Sequence, residues 1–174
     1  MPLAPSDISE DLSLETAQSL LRDALHGADD GELFIEKRQT ESLGFDDGKL
    51  KSSSIDDTQG FGLRAVTGET AAYAHATELS ASALKRATST ARAVLGSGKA
   101  ANIGEAPQRT NRVLYGDHNP SIGFAFSDRV NLLEAVNAYA RGLDSKVRQV
   151  SASISTDYQD VTIIRPDGEV YRDV

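Results

Sequence analysis

Residues 57–76 read DTQGFGLRAVTGETAAYAHA, and the rest of the chain can be interpreted outward from them. From Thr58 to Val66, apolar residues alternate with small or polar ones, which is typical of a β-strand that buries one face. Thr67-Gly68 then predicts a tight turn into a second strand, Glu69 to Ala76. Because strands joined by so short a turn pair in antiparallel fashion, this stretch predicts a β-hairpin.

The sequence before this hairpin predicts one helix and several short strands. Ser13 is suited to cap the helix, since its hydroxyl can accept from a free backbone N–H, and Gly27 can end it. The apolar face of the helix would comprise Leu14, Ala17, Leu21, Ala24 and Leu25. Strands are predicted at residues 33–40, 42–45 and 49–54. Asp46-Asp47-Gly48 would connect the last two, because Asp-Gly readily adopts the positive φ angles of a hairpin turn.

The sequence after the hairpin predicts two more helices and a second group of strands. Ser80 would cap a helix that Gly96-Ser97-Gly98 ends, with a buried stripe of Leu84, Ala87, Ala91 and Val94. A third helix is predicted at 128–141, capped by Ser127, with an apolar face of Leu133, Val136, Ala140 and Leu143. Strands are predicted at 150–155 and 158–165, and Pro166-Asp167-Gly168 would turn the chain into a last strand from Glu169.

This order of elements predicts an α+β fold, a two-layer sandwich of a mostly antiparallel sheet with helices packed on one face. We expect a flexible tail at 1–12, an α-β(4)-α unit at 13–96, a long linker at 97–126 and an α-β(3) unit at 127–174. The sequence stops at Val174, within the predicted last hairpin. This ending predicts a truncated chain, since natural termini usually complete their element.

The composition excludes several classes of function. The net charge of −8 and pI near 4.8 make nucleic acid an unexpected partner, because phosphate binding needs clustered Lys and Arg. No apolar run approaches the roughly 20 residues of a membrane span. The absence of cysteine excludes disulfides and cysteine nucleophiles in this segment. We therefore expect an acidic, soluble, cytoplasmic protein without a membrane partner.

Seven residues in fixed order carry a resemblance to a known family. They are Gln59, Gly60, Gly62, Arg64, Gly68, Tyr73 and Ala74, followed by the Ser80-capped, Ala-rich helix. With them, the chain resembles the N-terminal domain of the TldD/PmbA metallopeptidases, and the TldD branch more than the PmbA branch. The residues KVRQV at 146–150, and Asp167-Gly168 with Asp173-Val174, extend the resemblance over nearly the whole chain.

The resemblance implies that the parent protein is a zinc-dependent peptidase. In that family the metal lies on a His-Glu-x-x-x-His helix in the C-terminal half, where Glu acts as general base on a metal-bound water. This chain has only His26, His75 and His118, and none of them is followed by Glu. We therefore expect no catalytic residue, no bound cofactor and no activity in this segment. The resemblance also implies a PmbA/TldE-like partner subunit, or self-association, and unfolded peptide substrates.

A weak substrate-binding set is predicted on the hairpin, namely Gln59, Gly60, Gly62, Arg64 and Tyr73. The two glycines could leave a smooth patch for a substrate backbone, or let a neighbouring element pack closely. Arg64 could anchor a peptide carboxylate, or pair with an Asp or Glu within the fold. Tyr73 shares a strand face with His75, and the pair could line a groove or simply lie at the rim of the sheet.

Other polar motifs have simpler interpretations. His118 follows Asp117, which could suggest a catalytic dyad, but adjacent residues seldom direct their side chains at each other. We predict a solvated turn there. The pairs Asp29-Asp30, Asp46-Asp47 and Asp56-Asp57 lack the alternating spacing of a calcium loop, and we predict solvated turns for them too.

Three functions remain open at this point. The first is a non-catalytic substrate-groove and docking domain of a TldD-like zinc metallopeptidase, whose exposed strand edge would hold an extended peptide. The second is a non-enzymatic protein-binding module of the DNA gyrase modulator type, which the charge of −8 would help to bind basic surfaces. The third is the metal-free PmbA/TldE-like partner subunit.

Overall fold

The computed structural model describes residues 7–95, 118–119 and 122–174. In chain order the elements are β1 (Asp7–Ser9), β2 (Leu12–Ser13), α1 (Leu14–Ala24), β3 (Asp30–Asp46), β4 (Lys49–Thr67), β5 (Thr70–Ala76), α2 (Ala81–Leu95), α3 (Phe126–Leu143), β6 (Ser151–Ile164) and β7 (Val170–Asp173). Five strands form one sheet in the order β5-β4-β3-β6-β7, and β1 pairs with β2. The predicted α+β fold with a mostly antiparallel sheet is confirmed.

The described chain divides into two compact units. The hairpin unit comprises residues 7–37, 59–95 and 160–174, and the α3 unit comprises 38–58, 118–119 and 122–159. Strands β3, β4 and β6 contribute residues to both units. Most of the predicted linker at 97–126, and the predicted helix stop at 96–98, lie outside the described residues.

In the hairpin unit, α1 and α2 cover one face of the sheet. Their buried residues pack against Leu33 and Ile35 of β3 and against Phe61 and Leu63 of β4. Burial alternates along these strands, so every second side chain enters the core and the next one leaves it. At 25 cal/mol per Å² of apolar surface, each fully buried Leu contributes roughly 1.5–3 kcal/mol to folding.

Both predicted serine caps are present in this unit. The backbone N–H of Thr16 donates to Ser13 Oγ at 3.2 Å, and that of Ala83 donates to Ser80 Oγ at 3.1 Å. The stripe of α2 is confirmed except at its end, where Val94 is 55% exposed. Leu95 packs against the core instead, because it follows Ala91 by four residues and continues the same helical face.

The chain before α1 differs from the expected tail. Residues 7–13 form the small β1–β2 hairpin, in which Ile8 and Leu12 are buried against the helices. Ser9 Oγ donates to the carbonyl of Leu79 at 2.7 Å, which fastens the hairpin to the segment before α2. The acidic composition of this stretch concealed two apolar residues that belong to the main core.

The strands are longer than the sequence predicts. The predicted strands 33–40 and 42–45 are one strand, β3, and the predicted strands 49–54 and 58–66 are one strand, β4. Likewise 150–155 and 158–165 merge into β6. In β3, the buried Glu41 interrupts the apolar pattern between the two predicted segments. In β4, most residues before position 60 are exposed. The sequence therefore shows no period-two apolar signal where the predicted segments meet.

The α3 unit has a small core of its own. Leu43 and Phe45 of β3 pack with Leu133 of α3, and Ala152 and Ile154 of β6 lie against them. The β3–β4 turn is the predicted one, since Asp47 has φ 50° and Gly48 has φ 79°, both positive as a type I′ hairpin turn requires. No helix among the described residues is long and apolar enough to cross a bilayer.

Helix α3 differs from its prediction in its start and in its buried face. It begins at Phe126 with Ala125 at the cap position and no side-chain cap, so Ser127 lies inside the first turn. Leu133 is buried as predicted, but Val136 is 42% exposed and Leu143 is 66% exposed. The helix is buried along the side of Leu133, because Leu43 and Phe45 offer too small an apolar surface to cover a wider stripe.

Candidate functional site

The outer face of the β4–β5 hairpin carries the residues that the sequence singled out. In the register of the two strands, Gly62 lies opposite His75 and Arg64 lies opposite Tyr73. Because Phe61, Leu63 and Ala65 are buried, their neighbours Gly60, Gly62 and Arg64 must point away from the helices. We call Gly60, Gly62, Arg64, Tyr73 and His75 the hairpin shelf.

The inner face of β5 is lined by alanines. Ala72 is buried, and Ala74 and Ala76 pack against the core, so small side chains face the helices. Tyr73 is 67% exposed and lies on the other face with His75. The shelf is therefore an exposed surface backed by a close-packed layer of alanines.

Arg64 has internal partners on the shelf. Its Nε donates to the Tyr73 hydroxyl at 3.3 Å, and its Nη1 lies 3.4 Å from the Asp30 carboxylate. The hydrogen bond to Tyr73, followed by the interaction with Asp30, raises the pKa of Arg64 above its ordinary value. These two partners hold the Arg64 guanidinium between the Tyr73 hydroxyl and the Asp30 carboxylate.

The network continues across β3 to the end of β6. Arg165 bridges two carboxylates of β3, with Nη2 at 3.3 Å from Asp30 and Nη1 at 3.0 Å from Glu32. Asp30 thus lies between Arg64 and Arg165. The solvated turn predicted at Asp29-Asp30 is wrong for Asp30, which begins β3 and is ion-paired. The sequence analysis did not single out Glu32 and Arg165, although the period-two spacing of the two acids on β3 was a usable signal.

The two shelf glycines have different surroundings. A Cβ on Gly60 would lie 2.8 Å from the carbonyl oxygen of Ala76, closer than side chains tolerate, so the close approach of β5 requires glycine there. A Cβ on Gly62 would meet nothing within 4 Å. Close packing therefore explains Gly60, whereas Gly62 leaves open space beside His75 and Arg64. Gln59 is exposed and precedes the part of β4 that pairs with β5.

In the α3 unit, residues 49–58 of β4 form an open edge. Every one of them is exposed, including Ile55 at 63%. Strand β5 pairs with Phe61–Thr67 only, so within the described chain β3 is the single strand beside residues 49–58. A strand with one partner has a row of backbone N–H and C=O groups available for another extended chain.

Ion pairs of the α3 unit were not foreseen. Glu41 of β3 is 7% exposed and contacts Nη1 of Arg129 on α3. Asp46 accepts from Ser151 Oγ at 2.6 Å and from Gln149 at 3.0 Å, and these hydrogen bonds lower the pKa of Asp46. Asp47 contacts Arg141. The predicted solvated turn at 46–47 is instead a junction between the β3–β4 turn, β6 and α3.

A mostly apolar groove of about 370 Å³ lies beside the first turns of α3, between that helix and β6. Its lining residues are Phe124, Asp128, Arg129, Leu132, Ile154 and Thr156. The groove is not on the hairpin shelf, and the sequence analysis did not predict it. The one sequence signal for this groove is the aromatic residues before α3, which lie in a stretch without a regular spacing of apolar residues.

The described histidines and carboxylates can be compared with the metal site that the resemblance implies. His118 is exposed, and its Nε2 lies 3.4 Å from the position a Cβ would take on Gly123. Among residues 7–95, 118–119 and 122–174, no three His, Asp or Glu side chains are grouped so that they could hold a metal ion. The described residues therefore do not fit the zinc site that the resemblance implies for a full-length protein.

Comparison with known proteins gives consistent results. Residues 31–95 match the model of "PmbA/TldA metallopeptidase domain 1". A metalloprotease TldD homologue of Buchnera aphidicola is 28% identical over 86% of this chain and 31% of its own length. The corresponding protein of Haemophilus influenzae is 29% identical over 99% of this chain and 36% of its own length. This chain thus spans about a third of the length of these relatives.

Solved structures share the fold at low sequence identity. TldE from Thermococcus kodakarensis has a TM-score of 0.66 and 13% identity, over 91% of this chain and 37% of its own. A Thermotoga maritima protein, described as a proposed modulator of a DNA gyrase, has a TM-score of 0.68 and 11% identity, over 91% of this chain and 35% of its own. At such identity these structures support the fold alone.

Proposed function

The chain carries the first domain of the PmbA/TldD metallopeptidase family, and from that premise we propose that it is a non-catalytic substrate-groove and docking domain. Its parent would be a TldD-like zinc metallopeptidase acting on unfolded peptides. The TldD homologues are named as metalloproteases, which supports a metal in the parent. The described residues group no ligand set for that metal, so bond cleavage would depend on polypeptide outside this domain.

The observation that carries the proposal is the open edge of β4 at residues 49–58. An extended peptide can add to such an edge as a further strand, and backbone hydrogen bonds then supply the affinity. Since every peptide has the same backbone groups, this mode of binding does not require a particular side-chain sequence. It therefore suits substrates that are recognised because they are unfolded.

The charges along this edge support an open but guarded strand. Lys49 and Lys51 lie at one end of the segment, and Asp56 and Asp57 lie at the other. Charged side chains on an edge strand discourage pairing with folded sheets, whereas a flexible peptide can adjust to them. Both faces of the strand are exposed, so a bound peptide would meet no covering element from the described chain.

Hydrogen–deuterium exchange tests this proposal directly. An unfolded peptide at saturating concentration should slow exchange of backbone amides in residues 49–58. A peptide of the same length with proline at alternate positions is the control, because it lacks half of the N–H donors that a new strand needs. Equal protection by both peptides, or protection confined to other segments, would contradict edge pairing.

We also propose that the domain assembles with a PmbA/TldE-like partner subunit or with a second copy of itself. The similarity to a TldE structure supports a shared fold for such subunits. The protein-binding alternative, a modulator of DNA gyrase, rests on the descriptions of structural neighbours and on the charge of −8. Salt-sensitive binding to purified gyrase that unfolded peptides do not compete away would favour it.

A further inference from the structure

The open edge of β4 at residues 49–58 has opposite charges at its two ends. Lys49 and Lys51 lie next to the β3–β4 turn, and Asp56 and Asp57 lie at the end that leads into the β4–β5 hairpin. All four residues are exposed, and within the described part of the chain no ion pair includes any of them. Their charges are therefore available to a ligand that lies along the edge.

The acids of the β3–β4 turn do not neutralise the lysine end. Asp47 contacts Arg141 on α3, and Asp46 accepts hydrogen bonds from the side chains at 149 and 151. These hydrogen bonds are the main causes of the lowered pKa of Asp46, and Lys51 adds a smaller effect in the same direction. The two lysines thus lie near acids that have other partners, and this end of the edge keeps its positive charge.

The spacing of the charges matches the length of a short extended peptide. Lys51 and Asp56 are five positions apart, and Lys49 and Asp57 are eight positions apart. At a rise of about 3.4 Å per residue, these separations are about 17 Å and 27 Å. An extended peptide of about six to nine residues spans the same distances. Its α-ammonium and α-carboxylate, both ionised near neutral pH, then lie at the two charged ends of the edge.

The order of the charges favours one direction of the peptide. For the ammonium to lie beside the aspartates and the carboxylate beside the lysines, the peptide must run opposite to β4. In the parallel direction each terminus would instead meet charges of its own sign. Antiparallel pairing is also slightly more stable per residue than parallel pairing, so the backbone and the charges favour the same direction.

We propose that the edge at residues 49–58 selects short peptides with free termini and binds them antiparallel to β4. The peptide's α-ammonium lies beside Asp56 and Asp57, and its α-carboxylate lies beside Lys49 and Lys51. This inference rests on the proposed binding of peptides at that edge, and it adds the class of peptide and its direction. Because the selecting charges are those of the termini, peptides of any side-chain sequence can meet the requirement.

The first test compares two forms of one eight-residue peptide with uncharged polar side chains. One form has free termini, and the other is acetylated and amidated, which removes both terminal charges. In NMR titrations of the 174-residue chain at low salt, the capped form should bind about three- to tenfold more weakly, as expected for two exposed ion pairs. At 1 M salt the difference should fall below about twofold, because the charges are screened. Equal affinities at low salt would overturn the proposal.

The second test determines the direction with a nitroxide on a single cysteine of the peptide, placed second or second to last. The chain itself has no cysteine, so the label cannot transfer to it. A label near the peptide's N-terminus should broaden the amide signals of Asp56 and Asp57. A label near its C-terminus should broaden those of Lys49 and Lys51. The opposite pattern, or equal broadening of both ends by each label, would refute antiparallel binding.

A charge-exchanged variant tests the four residues themselves. Lys49→Asp and Lys51→Asp, combined with Asp56→Lys and Asp57→Lys, leave the net charge at −8 and reverse the polarity of the edge. The free-ended peptide should then bind about three- to tenfold more weakly, and it should lose its advantage over the capped form. An unchanged affinity in this variant would contradict the assigned roles, and the comparison of peptides on the unsubstituted chain needs no substitution to fold.

The matched control exchanges charges far from the edge. Lys85→Asp on α2 with Asp23→Lys on α1 also keeps the net charge, and both positions are exposed. Each new charge complements the dipole at its end of the helix, so the fold should tolerate the change. The preference for free termini should persist in this control, and its loss would show that the general field of the protein is responsible.

Hydrogen–deuterium exchange separates a failure of this inference from a failure of the proposed groove. If free-ended and capped peptides protect residues 49–58 equally at equal concentration below saturation, the edge binds peptides but does not select their termini, and only the present inference fails. If neither peptide protects this segment even at saturating concentration, the groove fails and the inference fails with it. Stronger protection by the free-ended peptide supports both.

Discussion

Two neighbouring glycines on β4 have different physical roles. Gly60 is pressed against the backbone of β5, where a Cβ would lie 2.8 Å from the Ala76 carbonyl oxygen. Gly62 faces open space next to His75 and Arg64. Of the two explanations that the sequence allowed, close packing therefore applies to the first residue, and an accessible surface applies to the second.

Matched substitutions distinguish these roles. Gly60→Ala should destabilise the fold by about 1–3 kcal/mol, because the strand backbones must separate to admit the methyl group. Gly62→Ala should leave the free energy of unfolding unchanged or raise it by up to about 0.5–1 kcal/mol, since alanine loses less conformational entropy than glycine on folding. Chemical denaturation of both variants measures the difference. Equal destabilisation would contradict the close approach at Gly60.

The buried pair of Glu41 and Arg129 is the strongest electrostatic feature of the α3 unit. Their side chains are only 8% and 13% exposed. Arg129→Met should destabilise the protein by about 3–5 kcal/mol, because it leaves the Glu41 carboxylate buried without its cation. The double variant with Glu41→Leu should recover most of that loss. Denaturation midpoints of the single and double variants test this. A double variant no more stable than Arg129→Met alone would indicate that lost packing, not the unpaired carboxylate, causes the destabilisation.

At the scale of elements, the helix starts show which local signals were sufficient. Ser13 and Ser80 cap α1 and α2 because each hydroxyl accepts from an N–H three residues on. Ser127 has the same chemistry but lies within the first turn of α3, because the helix begins at Phe126, two residues earlier than predicted. A serine near a helix start is therefore a good signal, but not a sufficient one.

A pair of serine substitutions tests these cap assignments. Ser13→Ala should lower the free energy of unfolding by about 1 kcal/mol through loss of the cap. Ser127→Ala should change it by less than about 0.5 kcal/mol, as is usual for exposed positions. Thermal unfolding monitored by circular dichroism suffices for the comparison. A larger loss at Ser127 than at Ser13 would contradict the observed start of α3.

At the scale of the whole molecule, several carboxylates couple stability to pH. Hydrogen bonds from Ser151 and Gln149 lower the pKa of Asp46, and the hydrogen bond from Arg38 lowers that of Asp157. The hydrogen bond from Ser80 is the main cause of the lowered pKa of Glu78. Each of these groups binds a proton more weakly in the folded chain than in the unfolded one.

The direction of the pH dependence follows from these lowered pKa values. Their stabilising contribution is complete above the unfolded pKa, near 4, and is lost as pH falls through the folded values. Stability should therefore decline on acidification below about pH 5, and Asp157→Asn should make the decline less steep. Urea denaturation across that range measures the slope.

In an NMR titration, Ser151→Ala should raise the pKa of Asp46, and no change would contradict the assigned cause.

Much of the architecture could be predicted from local sequence. The hairpin at 57–76, the type I′ turn at Asp47-Gly48, the caps at Ser13 and Ser80 and the outward face of Tyr73 and His75 all depend on residues close in the chain. Alternation along a strand with one buried face determines which side chains point outward. Of these features, the hairpin and the Ser80-capped helix also carried the family resemblance.

Contacts between residues distant in sequence were decided only in the tertiary structure. Arg64 pairs with Asp30, Arg129 pairs with Glu41, and residues 49–58 at the start of β4 have β3 as their one partner strand within the described part of the chain. Helix α3 turned one apolar side to β3 and left another exposed. The physical reason is that propensity and periodicity describe a segment alone, whereas ion pairs, strand joins and the choice between two apolar faces depend on which distant surface the fold brings against it.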